Sequence, residues 1–235
     1  MSRRAPETQM LRIEDRELPV DVRTHPTARR MTLRVDRASG RLRLTLPPGV
    51  GVAEGLQFAE RHRGWVRARL AELPDQVPFA DGARLPILGD EHEVRHRPEM
   101  RAGVWREAGV IHVSGAGEHL PRRLRDFLRK EARTEIAPRV RDLATRVGRP
   151  AGRITLRDTS SRWGSCTARG DLSFSWRLIF APEAVLHYVV AHEVAHLVHL
   201  NHGPKFWALV DELIDDVAGP RRWLRRHGAE LMRYG

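Results

Sequence analysis

The segment LHYVVAHEVAHLVHLNH, residues 186–202, joins an apolar helical pattern to closely spaced histidines. His192 and His196 are four residues apart, so on a helix they lie on one face, about 6 Å apart along the axis. Two imidazoles at this spacing can bind one metal ion, and Glu193, about 100° further round the helix, lies beside that ion. The segment therefore predicts a metal site with an adjacent carboxylate.

The residues around this pattern favour a metal site over an ordinary packed core. They are mostly apolar from Val185 to Leu200, which predicts a buried helix. Burying two imidazoles and a carboxylate is unfavourable, by on the order of several kcal/mol, unless all three are satisfied. A divalent metal would satisfy them together. The alternative is a set of hydrogen-bonded core histidines without a metal.

A catalytic zinc needs a third protein ligand and one open position. On an unbroken helix His199 lies about 10 Å along the axis from His192, too far to bind the same ion. His199 would then either contact one of the metal-binding side chains or be exposed to solvent. His202 is the better candidate, because Asn201 tolerates the left-handed conformation that ends helices. Gly203-Pro204 can then begin the next helix. The chain can thus turn back and complete a three-histidine zinc site, which is common in hydrolases.

Three motifs in the C-terminal half resemble one protein family. HEVAHLVHLNHGPKFW (192–207), SRWGSC (161–166) and WRLIFAP (176–182) look like those of the YgjP-like metallopeptidases, bacterial proteins related to the SprT-type zincins. The resemblance covers about residues 20–230.

The resemblance implies a peptidase acting on peptides or proteins. It implies one Zn²⁺ per chain, bound by His192, His196 and His202, with Glu193 as general base and acid. The spacing to His202 also matches the metzincin pattern. However, His199 stands where that pattern has glycine and no convincing Met-turn is found, so we do not place the chain among the metzincins.

Further site residues follow from the same resemblance. The strand before the active-site helix lines the cleft in zincins and pairs with an extended substrate, which points to Leu172–Trp176 with Leu172 and Phe174 as substrate-binding residues. Arg162 would steady a developing oxyanion or bind substrate, or is simply a surface arginine. The lone Cys166 is more typical of a small buried residue than of a nucleophile or ligand.

The order of predicted elements gives an α+β fold, with a β-rich N-terminal half followed by a zincin-like catalytic half that carries the HExxH active-site helix. These parts span 18–118 and 119–230 and together form one domain of about 20–230. Residues 1–17 are predicted to be loosely ordered, and 36–40 to form a hairpin turn. The predicted strands are 31–35, 41–46, 83–88, 91–96, 103–106, 110–114, 154–156 and 172–176. The predicted helices are 52–73, 120–147 with a kink or break at Pro138, 182–200 and 203–217, followed by a basic tail.

The 235-residue chain has a formal net charge of +11. Residues 121–157 carry 12 basic and 4 acidic side chains, a local net of +8. This excess reflects either an arginine-rich codon usage or weak, sequence-independent binding of nucleic acid through that segment. The sequence shows no apolar run of bilayer length and no signal peptide, and it has one cysteine. We therefore expect a cytoplasmic protein without a membrane span.

Two other functions fit the same residues. A metal-dependent phosphohydrolase could direct the same water at phosphorus and hold nucleotide phosphates with arginines, although the sequence has no P-loop. A nucleic-acid-associated protease of the SprT type is the other, although no helix-turn-helix, zinc-finger or RNA-binding signature is found.

Overall fold

The computed structural model describes residues 7–13, 16–36, 40–73, 75–159 and 162–235. The chain divides into two compact units, Met1–Asp75 and Gln76–Gly235, each with its own apolar core. Sheets dominate the N-terminal half and helices the C-terminal half, so the predicted α+β class is confirmed. The boundary suggested by the sequence, between residues 118 and 119, falls inside the second unit. Among the described residues, no helix is long and apolar enough to cross a membrane.

The first unit is a four-stranded sheet with two short helices. The hairpin predicted around residues 36–40 is confirmed by antiparallel pairing of its strands, although residues 37–39 of the turn lie outside the described ranges. The loose order predicted for residues 1–17 is wrong for residues 7–13 and 16–17, which lie in paired strands; residues 1–6 and 14–15 lie outside the described ranges. The elements are β1 (Glu7–Ile13), β2 (Arg16–Thr24), β3 (Thr32–Val35), β4 (Leu42–Leu46), α1 (Val52–Arg61) and α2 (Arg63–Ala71), with strand order β1-β2-β4-β3.

The single helix predicted over residues 52–73 is interrupted at His62. The His62 backbone N–H donates to the carbonyl of Ala59 rather than to that of Phe58, which an α-helix would use. The imidazole Nδ1 instead lies 2.8 Å from the Phe58 carbonyl oxygen. The side chain thus replaces the backbone hydrogen bond, and the helix divides there.

The second unit begins with another four-stranded sheet, which confirms the four strands predicted in this region. Its strands are β5 (Arg84–Ile87), β6 (Asp90–Arg97), β7 (Val104–Glu107) and β8 (Val110–Ser114), in the order β5-β6-β8-β7. The long helix α3 (Leu120–Arg146) follows. Its buried residues recur at helical spacing and pack into the core of the unit: Leu120, Leu124, Leu128, Ala132, Ile136, Val140, Leu143 and Ala144.

Of the kink or break predicted at Pro138, the break is wrong, because α3 continues through this residue. Proline removes one backbone donor from a helix. The guanidinium of Arg139 donates to the Glu135 carbonyl oxygen at 2.8 Å and pairs with the Glu135 carboxylate. Ile136 and Val140 on either side of the proline are fully buried. Side-chain bonding and core packing therefore hold the helix together across Pro138.

A three-stranded sheet and three helices complete the second unit. The sheet consists of β9 (Ile154–Arg157), β10 (Gly164–Cys166) and β11 (Leu172–Ser175), in the order β10-β11-β9. The helices are α4 (Glu183–Ala195), α5 (Pro204–Leu213) and α6 (Ala218–His227). Three predictions were wrong here. The helix predicted to reach Leu200 ends at Ala195, and the helix predicted to reach Val217 ends at Leu213. Part of the segment predicted as a basic tail forms α6.

Candidate metal centre and active site

Helix α4 places two residues of the HEVAH motif in a buried environment. Pro182 caps it, and most of its side chains are buried, including Leu186, Val190 and Val194. A helix that is apolar on nearly every face is stabilised by packing inside a protein. His192 and Glu193 lie in its last turn, and His196 is the residue after its end. The polar groups of the motif are thus held by a rigid apolar element.

Three histidines converge at the end of this helix. The Nε2 atoms of His192 and His202 are 3.0 Å apart. The potential ligand atoms of His192, His196 and His202 all lie within 4.8 Å of one another. Nitrogens bound to one tetrahedral zinc lie about 3.3 Å apart, because each Zn–N bond is about 2.0–2.1 Å. The three side chains therefore fit a single metal ion after small adjustments.

The early end of α4 explains how His202 reaches this cluster. The chain leaves the helix after Ala195, turns through residues 196–201, and begins α5 at Pro204 with Gly203 as its cap. The reversal between two helices brings His202 back beside His192. The expected turn before Gly203-Pro204 is thus present, although it begins earlier than the sequence predicted.

His199 contacts the cluster through its backbone. The Nδ1 of His196 lies 3.0 Å from the His199 carbonyl oxygen. A proton on Nδ1 that donates to this carbonyl leaves the lone pair of Nε2 free for a metal. His199 is not part of the three-histidine group. Its carbonyl therefore orients His196, a candidate metal ligand. The sequence had left open whether His199 contacts a metal-binding residue or is solvated.

An aromatic wall supports the three imidazoles. The Phe206 ring is fully buried, and its centroid lies 4.9, 4.5 and 4.7 Å from those of His192, His196 and His202. Trp207 lies 5.8 Å from two of the same rings. Phe206 belongs to the core of the second unit, and its contact with all three imidazoles was not predicted. The only signal was its position shortly after His202 in HGPKF.

The environment keeps His192 neutral. Burial, and then the neighbouring His196 and His202, lower the pKa of His192 to about 4. Burial also lowers the pKa of His196. Among the described residues, the buried Nδ1 of His192 has no hydrogen-bond partner. Neutral imidazoles can bind a cation without first losing a proton, so these histidines are suited to metal binding.

Glu193, next to His192 in the chain, is shielded from solvent. Only 5% of its surface is exposed, and burial raises the pKa of its carboxyl to about 7, an effect that the positive charge of Arg162 partly opposes. The group lies against β10, where a Cβ added to Gly164 would come within 2.4 Å of the Glu193 Oε1 atom. The carboxyl is therefore poised to exchange a proton near neutral pH.

The residues predicted to bind substrate occupy different environments. Arg162 is exposed, and its charge acts on Glu193. The side chains of Leu172 and Phe174 are each 1% exposed and belong to the core of the second unit. Ser161, the first residue of SRWGSC, lies outside the described residues. The motif thus brings Arg162 near Glu193, whereas Leu172 and Phe174 face the interior.

The strand order does not fit the predicted pairing of a substrate with Leu172–Trp176, and we correct that prediction. β11 is the middle strand and is already paired with β10 on one side and β9 on the other. Trp176 lies beyond it in a 3₁₀ turn. β10 lies beside Glu193, and among the described strands none pairs with its second edge. The sequence could not show this order, because it depends on contacts between distant residues.

Cys166 lies on the same strand and is half-buried. Burial, then the nearby carboxylates of Glu193 and Asp171, raise the pKa of its thiol to about 11. Its Sγ donates to the Thr167 carbonyl at 3.3 Å. Nucleophilic and metal-binding cysteines are thiolates with a lowered pKa. The environment of Cys166 is the opposite, which agrees with its interpretation as a small packed residue.

The family model described as YgjP-like, metallopeptidase domain, matches residues 29–227. The chain belongs to the YgjP-like metallopeptidase family. The resemblance inferred from the three motifs is thereby confirmed. No curated protein and no solved structure matched the chain.

The family assignment extends across both compact units of this YgjP-like chain. The matched range begins in the first unit and ends at the last residue of α6. It supports a metal-dependent peptidase at the level of the family, and therefore a metal and a peptide or protein substrate. Among the described residues, the three histidines form a group that could hold such a metal, and Glu193 follows the first of them on α4.

Proposed function

We propose that this YgjP-like protein hydrolyses peptide bonds with one zinc ion, held by His192, His196 and His202, and with Glu193 as the proton carrier. The observation that supports this most strongly is the convergence of three imidazoles to within 4.8 Å beside a buried carboxyl group. The zinc, when bound, would polarise the scissile carbonyl and lower the pKa of an attacking water.

Glu193 would accept the proton of the attacking water and pass it to the leaving amine. Burial raises the pKa of its carboxyl to about 7, so the group can take up and release a proton near neutral pH. Gly164 leaves the space that the carboxyl occupies. The low exposure of Glu193 also limits competition from bulk water. Its position and its acidity thus both suit a general base that later acts as a general acid.

The free edge of β10 is the place where we propose that a substrate strand binds. The Trp163 carbonyl accepts a hydrogen bond from the Ser175 N–H of β11 at 2.8 Å, and the Thr167 N–H donates to the carbonyl of Asp171, next to β11, at 2.9 Å. In an antiparallel pair such bonding alternates, so the N–H and C=O groups of Gly164 and Cys166 point to the other side. Within the described ranges, no backbone group pairs with them there. An extended peptide can pair with that edge, next to Glu193.

The decisive experiment combines metal analysis with a peptide-library digest. We expect about one zinc per chain and zinc-dependent cleavage by the native protein. Glu193→Gln keeps the shape of the side chain and removes its basicity. It should keep the zinc and the thermal stability, while cleavage falls by on the order of a hundredfold or more. Glu212→Gln, an exposed change on α5, is the matched control and should cleave normally.

The outcomes separate chemistry from folding and from the alternatives. Loss of zinc and fold in Glu193→Gln would make Glu193 structural, and unchanged cleavage would remove it as the base. If the native protein cleaves no peptide but releases phosphate from nucleotides in a zinc-dependent way, the phosphohydrolase alternative replaces this proposal. Cleavage that requires DNA would instead support the nucleic-acid-associated protease of the SprT type.

A further inference from the structure

The three-stranded sheet has two faces of different character. Gly164 pairs with Phe174 and Cys166 pairs with Leu172, so these four residues share the face that packs toward the core and Glu193. Side chains alternate along a strand, which places Ser165 on the opposite face. Its partner Ser173 and the neighbouring residues Thr155 and Arg157 of β9 lie on that face as well.

This opposite face carries a polar groove beside the candidate active site. Two cavities of about 260 and 290 Å³ adjoin there and share Arg157, Ser165 and Ser173 among their lining residues. One extends to Arg153 and Asp171. The other extends to Arg162 and to Gly164, the residue against which Glu193 lies. The groove therefore meets β10 from the side opposite Glu193.

The groove is positively charged. Arg153, Arg157 and Arg162 line it together with one carboxylate, Asp171, which gives a net charge of +2 for the described lining residues. Asp171 accepts a hydrogen bond from the Arg153 backbone N–H at 2.9 Å. In the part of the chain that the structure describes, none of the three guanidinium groups forms a salt bridge. The three guanidinium groups can thus receive an anion, together with the Ser165 and Ser173 hydroxyls, whereas the Thr159 and Thr167 hydroxyls already bond to backbone groups.

We infer that this groove binds an acidic side chain of the peptide substrate, close to the cleaved bond. The inference rests on the proposed function, because it assumes a substrate strand on the free edge of β10. Residues opposite one another in a paired sheet project to the same face. A substrate residue opposite Ser165 therefore directs its side chain to the groove, while its neighbours, opposite Gly164 and Cys166, face Glu193. The acidic residue then lies one or two positions from the reacting bond.

The dimensions and chemistry of the groove favour a peptide carboxylate over nucleic acid. Guanidinium groups and hydroxyls are suitable donors for a carboxylate. Proteins that bind single-stranded nucleic acid without sequence preference use aromatic side chains as stacking platforms. The described residues that line the two cavities include no aromatic side chain. Each cavity also has the size of a side chain or small group rather than of a duplex.

The test uses matched peptides based on a sequence that the protein cleaves. Glu, Gln or Lys is placed in turn at the first and second positions on each side of the cleaved bond. We expect kcat/KM to be about three- to tenfold higher for Glu than for Gln at one position, a preference that weakens with salt. Arg157→Ala should bring the Glu-to-Gln ratio to within about twofold, and Arg157→Glu should shift the preference to Lys. Arg129→Ala, an exposed change on α3, should keep the native ratio.

Binding measurements keep this inference separate from the proposed function. Fluorescence anisotropy with the labelled Glu and Gln peptides tests the groove even if no peptide is cleaved. Tighter binding of the Glu peptide, lost in Arg157→Glu, supports the inference. Equal cleavage and equal binding of the two peptides would overturn it. A second result would also overturn it: Arg157→Glu binds a single-stranded DNA oligonucleotide more weakly than the native protein does, but binds the Glu peptide equally well.

Discussion

Gly164 of β10 lies directly against the carboxyl group of Glu193 on α4. A Cβ at this position would approach Oε1 to 2.4 Å and Cδ to 2.6 Å, closer than real side chains come. The absent side chain therefore gives Glu193 the space it occupies beside the histidines. This contact joins the SRWGSC motif to the HEVAH motif, which lie almost thirty residues apart in the chain.

Gly164→Ala should impair activity more than folding. The added methyl group must displace the carboxyl, because that is its nearest neighbour. We expect zinc content near that of the native protein and peptide hydrolysis lower by about ten- to a hundredfold. Gly64→Ala is the control, since nothing lies within 4 Å of a Cβ there. Normal hydrolysis by Gly164→Ala would show that the carboxyl position is not critical.

Cys166 should react slowly with thiol reagents in the folded protein. Its pKa is raised to about 11 from an ordinary value of 9.0, and only the thiolate is nucleophilic. At pH 8 we expect alkylation to be about a hundredfold slower than in the protein unfolded by denaturant. Glu193→Gln should accelerate it, because a nearby negative charge is removed. Equal rates in the folded and unfolded protein would contradict the raised pKa.

The same thiol makes stability depend on pH at the alkaline end. A raised pKa means that the folded state retains a proton that the unfolded state releases between pH 9 and about 11. The contribution of Cys166 to the free energy of unfolding is therefore complete below pH 9 and declines as the pH rises to about 11. Comparison of denaturant unfolding for the native protein and Cys166→Ala over this range measures it.

Arg177 of the WRLIFAP motif should be important for stability. It is 2% exposed, pairs with Asp158 at 2.8 Å and donates to the Tyr234 carbonyl at 2.5 Å. Its guanidinium carbon lies 4.8 Å from the centre of the Trp176 ring. Arg177→Ala removes a buried side chain and the donor to the half-buried Tyr234 carbonyl, whereas Asp158, 48% exposed, can turn to water, so we expect a loss of about 1–3 kcal/mol in urea unfolding. Arg129→Ala should change the free energy of unfolding by less than about 0.5 kcal/mol.

Local patterns were sufficient to predict the ends of many elements and the candidate metal ligands. The spacing of His192 and His196 and the break before Gly203 are properties of neighbouring residues, so the sequence expresses them directly. Contacts between distant residues were not predictable in the same way. The hydrophobic pattern around Gly164 does not show that this residue contacts Glu193. The pattern of β11 likewise does not show that this strand is the central one of its sheet.

The missed elements have physical explanations. In β1 Leu11 is the only buried residue between Thr8 and Arg12, the part of the strand whose side chains the structure describes, so pairing with β2 rather than an apolar pattern defines it. Helix α6 is short and basic, and its apolar side includes Trp223 and Leu224, which pack against the core. Its arginines dominate the composition and conceal that apolar side. In both cases tertiary contacts stabilise an element with weak local propensity.

The basic segment 121–157 should bind DNA only weakly. Several of its arginines already have partners inside the protein: Arg123 donates to the Ser114 carbonyl, Arg133 to that of Ile154, and Arg146 to those of Glu212 and Leu213. We expect sequence-independent binding at low salt that fades steeply by about 200 mM salt, measured by mobility shift. Unchanged DNA mobility at low salt would leave arginine-rich codon usage as the explanation of the charge.

His202 and His199 offer a matched pair for testing the metal ligands. The two lie three residues apart in the same connection, but only His202 brings a ring nitrogen to the cluster, 3.0 Å from the Nε2 of His192. His199 approaches it through its backbone carbonyl, which alanine also possesses. His202→Ala should therefore lose zinc, whereas His199→Ala should retain about one zinc per chain.

The measurement is zinc content after dialysis, with circular dichroism to check the fold. His196→Ala serves as the positive control, because it removes a ligand from the HEVAH motif itself. Loss of the third ligand leaves two histidines, too few for a stable catalytic site, so we expect occupancy well below half for His202→Ala. Full occupancy in His202→Ala together with loss in His199→Ala would exchange their roles. It would also require the connection after Ala195 to adopt a different path when zinc binds.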